Sequence, residues 1–499
     1  MGYIETLKEK LSEISRFQQV MSLMHWDLET GAPNKSFEYT SDTLGELSAQ
    51  LYRMETSDEI GHLINKLTNE DEFENLNEDD KRMIKLVKKE YERTKKLPEE
   101  FVKEFSKLTS KAQKYWAEAR EKNDFTIFQP YLEKIVKMSI QEAEYVGYEK
   151  NRYDALLDMY EPGMTTKELK RIIEDLKFKL VDFVKELSEK GTKPEEDFLF
   201  KKYDVKKQKE LSMKALKLMN YDFDAGRLDV AAHPFTIKIN PGDVRITTRY
   251  QEKDIRDSFF STIHEGGHAL YEQGISVKYA DTPLYDGASM GVHESQSRYW
   301  ENILGRSQEF WKYFYPTMKE NFEQLNNIEL NDFYKAINVV EKSLIRVDAD
   351  EVTYNLHIML RFEIEEALIN EKIKVEDLPK IWNKKMKEYL DVVPENDSVG
   401  VLQDVHWSHG SFGYFPSYML GNLFSAQFFN QMKKDIPNYK ELVESGDLKT
   451  ILNWLRKNIH KHGKKYEPNE LLEKVTSEKL NPDYFMDYLK EKYTKVYNI

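Results

Sequence analysis

The chain has 499 residues, of which 40% are hydrophobic and 32% are charged, and its net charge is −14. This balance is typical of a globular protein with a large core, and the negative charge argues against nucleic acid or an anionic membrane as a partner. The lack of cysteine excludes disulfides and thiolate metal sites. The sequence shows no signal peptide and no apolar run long enough to span a membrane, and together with the lack of cysteine this predicts a cytoplasmic protein.

The first part of the chain predicts long helices, because Gly and Pro are scarce. Apolar residues follow one helical face over Leu169–Leu187, after a capping box that begins at Thr165. The polar stretch Lys190–Asp197 predicts a loop, and with it a boundary between two lobes. We therefore expect one catalytic unit over residues 1–499, with a helical lobe over about 1–190 and a second lobe over about 191–499.

An alternating segment in the middle of the chain predicts a β-hairpin. Its strands are Phe235–Ile239 and Val244–Tyr250, and the Pro-Gly pair between them is typical of a type II turn. The polar residues that would share one face of the second strand are Asp243, Arg245 and Thr247. The hairpin could offer an edge strand to an extended peptide or could be a surface hairpin with a salt-bridging Arg, and the sequence leaves both open.

The segment His264-Glu-Gly-Gly-His268 lies on a predicted helix that ends near Gly274. Residues four apart share a helix face, so both imidazoles can bind one metal ion, while Glu265 can reach a water on that ion and act as general base. Consecutive glycines disfavour a helix, so Gly266 and Gly267 predict that substrate or a neighbouring element approaches closely. The competing interpretation is a helix with two surface histidines.

A third metal ligand is expected from the next predicted helix, over Gly291–Trp300. A catalytic zinc takes three protein ligands, and two His with one Glu is a known set. Adjacent residues on a helix point about 100° apart, so only one of His293 and Glu294 can face the ion. Glu294 is favoured because a carboxylate commonly completes this motif, and His293 is its rival. His293 could instead support a ligand or face the substrate.

Several motifs occur together in a fixed order along the chain. They are Met24–Pro33, His233-Pro-Phe235, Asp243-Val-Arg-Ile-Thr247, His264–His268, His293-Glu-Ser-Gln296, Gly400–Trp407 and Gly413–Tyr418. Together they resemble the carboxypeptidase Taq family of metallocarboxypeptidases over nearly the whole chain. The resemblance implies a mainly α-helical protease with a deep substrate cleft, related in shape to neurolysin and angiotensin-converting enzyme. It also implies a homodimer, one zinc or cobalt ion per chain, and broad removal of C-terminal amino acids from peptides.

The resemblance assigns roles to individual residues. His264, His268 and Glu294 would be the metal ligands, and Glu265 the general base. Two segments would close one end of the cleft. One begins at His233, and the other begins at Asp243 and includes Arg245 and Thr247.

The terminal carboxylate of a peptide in a closed groove needs a fixed cation. Arg suits this role best, because its guanidinium can donate two parallel hydrogen bonds to a carboxylate. Arg245 on the hairpin and Arg346 on a predicted helix over Ile345–Tyr354 are the two candidates, and they could act together.

The last motifs would supply donors to the oxyanion of the tetrahedral intermediate. His406 and Tyr418 are the leading donors, with His409 and Tyr414 as alternates. The neighbouring aromatic residues are interpreted as packing. The remaining histidines are interpreted as structural or solvated, and they are His25, His62, His357, His460 and His462.

These residues together predict a metal-dependent carboxypeptidase that uses metal-activated water, with Glu265 as general base. One alternative is a metallo-oligopeptidase that cuts peptides internally. The other is a non-catalytic peptide-binding protein with a structural metal. The carboxylate of Glu265 argues against this second alternative, because it is placed to act as a general base.

Overall fold

The computed structural model describes residues 2–499, and it is mainly helical, as predicted. The helices before the sheet are α1 (Tyr3–Thr30), α2 (Phe37–Glu55), α3 (Asp58–Leu67), α4 (Glu70–Glu74), α5 (Glu78–Lys96), α6 (Glu99–Lys122), α7 (Phe125–Val146), α8 (Arg152–Leu157), α9 (Thr166–Lys190) and α10 (Val205–Leu218). The helices after it are α11 (Ile255–Glu272), α12 (Met290–Arg298), α13 (Gln308–Asn321), α14 (Leu330–Ala336), α15 (Tyr354–Ile369), α16 (Leu378–Leu390), α17 (Phe415–Asp435), α18 (Tyr439–Glu444), α19 (Leu448–Asn458), α20 (Pro468–Thr476) and α21 (Asp483–Tyr497). None of these helices combines the length and the apolar composition that crossing a bilayer requires.

Helix α9 begins and ends where its sequence predicts. The Thr165 hydroxyl accepts the backbone N–H of Glu168, which satisfies one of the free donors of the first turn. The apolar face of α9 is buried, and the helix packs against α21 near the end of the chain. The predicted loop follows, and its Thr192 N–H donates to the carbonyl of Tyr497 at 2.9 Å. One hydrophobic cluster extends from Leu7 to Tyr497, so the N-terminal and C-terminal helices share a core.

A three-stranded sheet interrupts the helices, with β1 at Leu228–Val230, β2 at Thr236–Asn240 and β3 at Asp243–Thr248. The antiparallel pair of β2 and β3 confirms the predicted hairpin, while β1, which pairs in parallel with β3, was not predicted. The prediction of a type II turn is wrong, because Gly242 does not adopt the positive φ that this turn requires. The Asn240 side chain instead accepts the Gly242 N–H at 2.9 Å, next to a register shift in β2.

Helices α11 and α12 carry the metal-site motifs and pack against each other. Asp254 caps α11 by accepting the N–H of Arg256, and the helix ends at Glu272, slightly before the predicted stop at Gly274. Ser289 caps α12 by accepting the N–H of Val292, and wider π-type turns extend that helix over Tyr299–Leu304. Helix α17 packs along the other side of α12, so α12 is held between two buried helices.

The two glycines of α11 are explained by neighbouring elements. A Cβ on Gly267 would lie 2.7 Å from both the carbonyl oxygen of Gln296 and the Cα of Ser297, which belong to the backbone of α12. A Cβ on Gly266 would lie 2.8 Å from the side chain of Leu216 on α10. The close approach that the sequence predicts is therefore made by α10 and α12, and it brings the two site-bearing helices within backbone contact.

We expect Gly267→Ala to destabilise the protein, because its methyl group meets backbone that cannot rotate away. Overpacking of this kind costs roughly 1–3 kcal/mol. The matched control is Gly45→Ala in α2, where a Cβ meets no atom within 4 Å. Replacing an exposed helical glycine with alanine stabilises by about 0.5–1 kcal/mol. Thermal unfolding of the two variants should shift in opposite directions, and a Gly267→Ala variant as stable as wild type would refute the close contact.

Candidate active site

His264, His268 and Glu294 converge, with one ligand atom of each within 4.8 Å of the others. The Oε2 atom of Glu294 lies 3.7 Å from His264 Nε2 and 3.4 Å from His268 Nε2. Two atoms that bind one tetrahedral zinc at its usual bond lengths lie about 3.4 Å apart. The donor set and its spacing therefore fit a single zinc-type ion, which these three residues would hold.

The His264 ring is oriented by a carboxylate behind it. Its Nδ1 lies 2.8 Å from Glu301 Oε2, so Nδ1 carries the proton. The lone pair of Nε2 then faces the position that a metal ion would occupy. Arg298 donates to Glu301 at 3.1 Å and to Glu294 at 2.7 Å. Burial disfavours the charge of Glu301, but Arg298 and His264 outweigh it and lower its pKa to about 2. The carboxylate that orients His264 thus stays ionised.

His268 is oriented through His293 rather than directly by a carboxylate. The Nδ1 atoms of the two rings lie 2.6 Å apart, and His293 Nε2 lies 3.0 Å from Glu272 Oε1. Glu272 also pairs with Lys238 of β2 at 2.9 Å. Because Glu272 accepts the Nε2 proton of His293, the His293 Nδ1 lone pair is free to accept from His268. Thus His293 lies behind His268, and Glu294 is the residue that reaches the centre of the group formed by His264, His268 and Glu294.

Glycine on α17 lets Glu294 occupy its position. A Cβ on Gly421 would lie 2.5 Å from the Glu294 Cγ, so any larger residue would displace the carboxylate. Burial disfavours the charge of Glu294, but Arg298 and the two imidazoles hold its pKa well below the usual range. Burial lowers the pKa of His268 to about 4, so its ring is neutral near pH 7 with a lone pair to offer.

Glu265 is buried next to the group of His264, His268 and Glu294, and a residue of β2 holds its side chain. The Thr236 hydroxyl lies 2.7 Å from Glu265 Oε2 and 2.9 Å from the Glu265 carbonyl oxygen. Burial raises the pKa of Glu265, and its contacts with His264 and Thr236 oppose that rise. A carboxylate with a raised pKa is a stronger base, which suits proton transfer. The strand next to α11 therefore positions Glu265.

The polar residues of β3 lie side by side, as predicted for one strand face. Arg245 donates from Nε to Asp243 Oδ1 at 2.9 Å and from Nη2 to Asp243 Oδ2 at 2.7 Å, and Trp26 of α1 covers its guanidinium at 4.3 Å. Thr247 is fully buried and its hydroxyl accepts the N–H of Phe235 at 3.0 Å. His233 is exposed just before β2. Arg245 thus has its own carboxylate partner.

Arg346 belongs to a different and deeply buried cluster. Its Nε donates to Asp404 Oδ1 at 2.9 Å, and its Nη1 donates to Tyr354 Oη at 2.9 Å. Arg361 donates to the other oxygen of Asp404 at 2.7 Å and is fully buried. One carboxylate therefore serves two guanidinium groups, and these three residues carry a net charge of +1.

The predicted helix over Ile345–Tyr354 is wrong. Arg346 begins a single 3-10 turn that ends at Asp348, and α15 begins only at Tyr354. The Asp350 carboxylate accepts the backbone N–H groups of Glu341, Val352 and Thr353, so a side chain takes donors that a helix would have paired. The predicted burial of Arg346 is nevertheless correct, since its exposure is 6%.

The two predicted oxyanion donors contact each other. His406 Nε2 lies 3.1 Å from Tyr418 Oη, and Tyr418 also packs beside the Arg346 guanidinium at 5.0 Å. Burial and the charge of Arg346 lower the pKa of His406 to about 3, so the ring is neutral. Tyr414 packs against the Tyr418 ring, with 5.2 Å between centroids, whereas His409 is exposed. His406, Tyr414 and Tyr418 therefore form one group, and His409 lies outside it.

Several site residues were missed from the sequence. Arg298 and Glu301 follow Glu294 by four and seven positions, so helical periodicity could have placed all three on one face. Thr236 has no comparable signal, because its partner Glu265 lies 29 positions away. Tyr354 has none because no single helix or strand joins it to Arg346. Of the histidines interpreted as structural, His460 is buried and its Nε2 lies 2.8 Å from Gln296 Oε1.

Known proteins share the sequence and the fold of this chain. The family described as carboxypeptidase Taq (M32) metallopeptidase matches residues 6–493. Carboxypeptidase 1 of Bacillus subtilis (strain 168) is 45% identical over 496 residues, covering 99% of each chain. Thermostable carboxypeptidase 1 of Pyrococcus furiosus is 41% identical, covering 98% of each. The crystal structure of the M32 carboxypeptidase from Deinococcus radiodurans R1 is 35% identical and superimposes with a TM-score of 0.96 over all of both chains. The chain therefore belongs to the carboxypeptidase Taq (M32) family of metallopeptidases and is a metal-dependent carboxypeptidase.

Proposed function

We propose that this protein removes single amino acids from the C-terminus of peptides, with broad specificity, using one divalent ion held by His264, His268 and Glu294. Zinc is the proposed ion and cobalt the alternative, because the set of two imidazoles and one carboxylate is typical of catalytic zinc. The observation that carries the proposal is the convergence of these side chains beside the buried Glu265. We also propose that residues 1–499 form one catalytic unit that acts as a homodimer in the cytoplasm.

Glu265 is the proposed general base. When bound, the ion would polarise the scissile carbonyl and make water more acidic. Glu265 takes the proton of the attacking water and passes it to the leaving amine, and Thr236 keeps the carboxylate aimed during both transfers. Tyr418 donates toward the oxyanion, and His406 supports it from behind. A neutral His406 can donate its Nε2 proton to Tyr418, which leaves the Tyr418 hydroxyl proton available for the substrate.

Charge balance favours Arg346 over Arg245 as the partner of the terminal carboxylate. Arg245 has a carboxylate of its own in Asp243, so that pair is neutral. Arg346 shares Asp404 with Arg361, so the cluster retains a positive charge in a buried position. A buried charge is stable only when it is paired, and an incoming carboxylate would complete the pairing. We assign the Asp243–Arg245 pair, Thr247 and His233 to the closed end of the groove.

We expect the enzyme to act much better on a peptide with a free C-terminal carboxylate than on the same peptide with a C-terminal amide. Amidation removes a charge-assisted hydrogen bond worth roughly 1.5–3 kcal/mol, which corresponds to about a 10- to 150-fold loss in kcat/KM. Arg346→Ala should reduce this preference, while Arg245→Ala should keep it. Mass spectrometry of products against time measures both effects.

A ladder that shortens from the C-terminus would support the proposal. Internal fragments at similar rates from both peptides would refute it and favour an oligopeptidase. No cleavage of either peptide by the metal-loaded protein would favour a peptide-binding protein.

A further inference from the structure

The Tyr354 hydroxyl is a buried donor without an acceptor. Tyr354 begins α15 and is 4% exposed, and its oxygen accepts from Arg346 Nη1 at 2.9 Å. That bond uses the oxygen's lone pair and leaves the hydroxyl proton free. Among residues 2–499 no group accepts this proton. The hydroxyl can therefore donate to a group that binds beside Arg346.

The neighbours of Tyr354 define the charge of that partner. Arg346, Arg361 and Asp404 contribute two positive charges and one negative charge, which leaves +1. Each nitrogen of Arg361 already has a protein acceptor, since Nε donates to Asp404, Nη1 to the His357 carbonyl and Nη2 to Gln403. Of the two guanidinium groups, Arg346 is the one that contacts the Tyr354 hydroxyl. An anion that accepts from both groups fits this position.

Tyr354 also contacts a residue that holds the metal-ligand group. The Arg298 guanidinium lies 4.5 Å from the centre of the Tyr354 ring, and the same Arg298 donates to Glu294 at 2.7 Å. A single aromatic side chain thus separates the Arg346 cluster from the residues that hold Glu294. Contacts with two cations leave this buried ring little freedom, so its size contributes to the separation between the two groups.

We infer that Tyr354 donates its hydroxyl proton to the C-terminal carboxylate of the substrate beside Arg346, and that its ring sets the one-residue distance between that carboxylate and the scissile bond. This inference rests on the proposed function. Arg346 supplies the charge and Tyr354 a second, directional donor. Together they distinguish a carboxylate, with two acceptor oxygens, from an amide, which offers one.

The test is Tyr354→Phe, which removes the hydroxyl and keeps the ring between the two arginines. We expect kcat/KM for a free-acid peptide to fall about 10- to 100-fold, with little change for the amide. Most of the loss should be in KM, because the contact binds the terminus in both ground and transition states. Tyr315→Phe is the matched control, since that buried Tyr donates to the Ile328 carbonyl at 2.8 Å away from this cluster.

Equilibrium binding gives a second readout that does not depend on turnover. An N-acetyl amino acid with a free carboxylate should bind the metal-loaded Tyr354→Phe variant about 10-fold more weakly than wild type, and its amide should bind both equally. Equal losses on acid and amide substrates would overturn the inference, since the hydroxyl would then serve another group. An unchanged acid-to-amide ratio would overturn it too. If wild type itself shows no preference for the acid, the proposed function fails rather than this inference alone.

Discussion

Glu265→Gln should abolish most hydrolysis while the metal site remains intact. The carboxamide keeps the size of the side chain and can still bond to Thr236, but it cannot accept a proton from water. Loss of a general base typically lowers the rate by about 10²- to 10⁴-fold. His264, His268 and Glu294 are unchanged, so the purified variant should contain as much metal as wild type. Single-turnover rates on a short peptide and metal analysis of the same samples measure the two effects.

The control for this substitution is Glu376→Gln. That carboxylate is exposed and paired with Lys374 on the surface, so its loss should leave both rate and metal content unchanged. If Glu265→Gln hydrolyses peptide as fast as wild type, Glu265 has no part in proton transfer. If it loses metal as well as activity, the residue has a structural effect on the site that our assignment does not include.

Glu294→Ala should lose metal far more readily than His293→Ala. Glu294 contributes an oxygen that lies 3.4 Å from His268 Nε2 and 3.7 Å from His264 Nε2, whereas His293 reaches these three residues only through His268 Nδ1. Removing a ligand leaves two imidazoles to hold the ion. Removing a residue that orients a ligand typically weakens metal binding by about 10- to 100-fold. Dialysis against a weak chelator, followed by metal analysis, ranks the three proteins.

Glu294→Gln provides a matched control, because it keeps the side-chain volume against Gly421 and removes only the charge. We expect its metal content to lie between those of wild type and Glu294→Ala. A His293→Ala variant that loses more metal than Glu294→Ala would show that the third ligand is wrongly assigned.

The main features of the fold and the metal group were predictable because they depend on local periodicity. The 3.6-residue repeat of α11 places His264 and His268 on one face wherever that helix lies in the protein. The same geometry allows only one of His293 and Glu294 to face an ion, and the structure brings Glu294 to the centre. The two consecutive glycines likewise predicted a close neighbour, although the sequence could not say whether it was substrate or protein.

Predictions failed where a distant or side-chain partner competes with the local pattern. The type II turn at Gly242 is replaced by a bond to Asn240, and the helix expected around Arg346 is prevented by the Asp350 carboxylate. Strand β1 was missed because three residues are too short for periodicity to be read.

The sequence by itself determined the helical class, the family and the residues able to hold a metal ion, because each of these follows from residue type and short-range spacing. Only the tertiary structure decided which of the two arginines has a carboxylate to itself. Arg245 meets Asp243 two residues away on the same strand, while Arg346 must share Asp404 with Arg361. Charge balance depends on which side chains meet in space, and partners more than forty positions apart cannot be paired by spacing within a helix or strand.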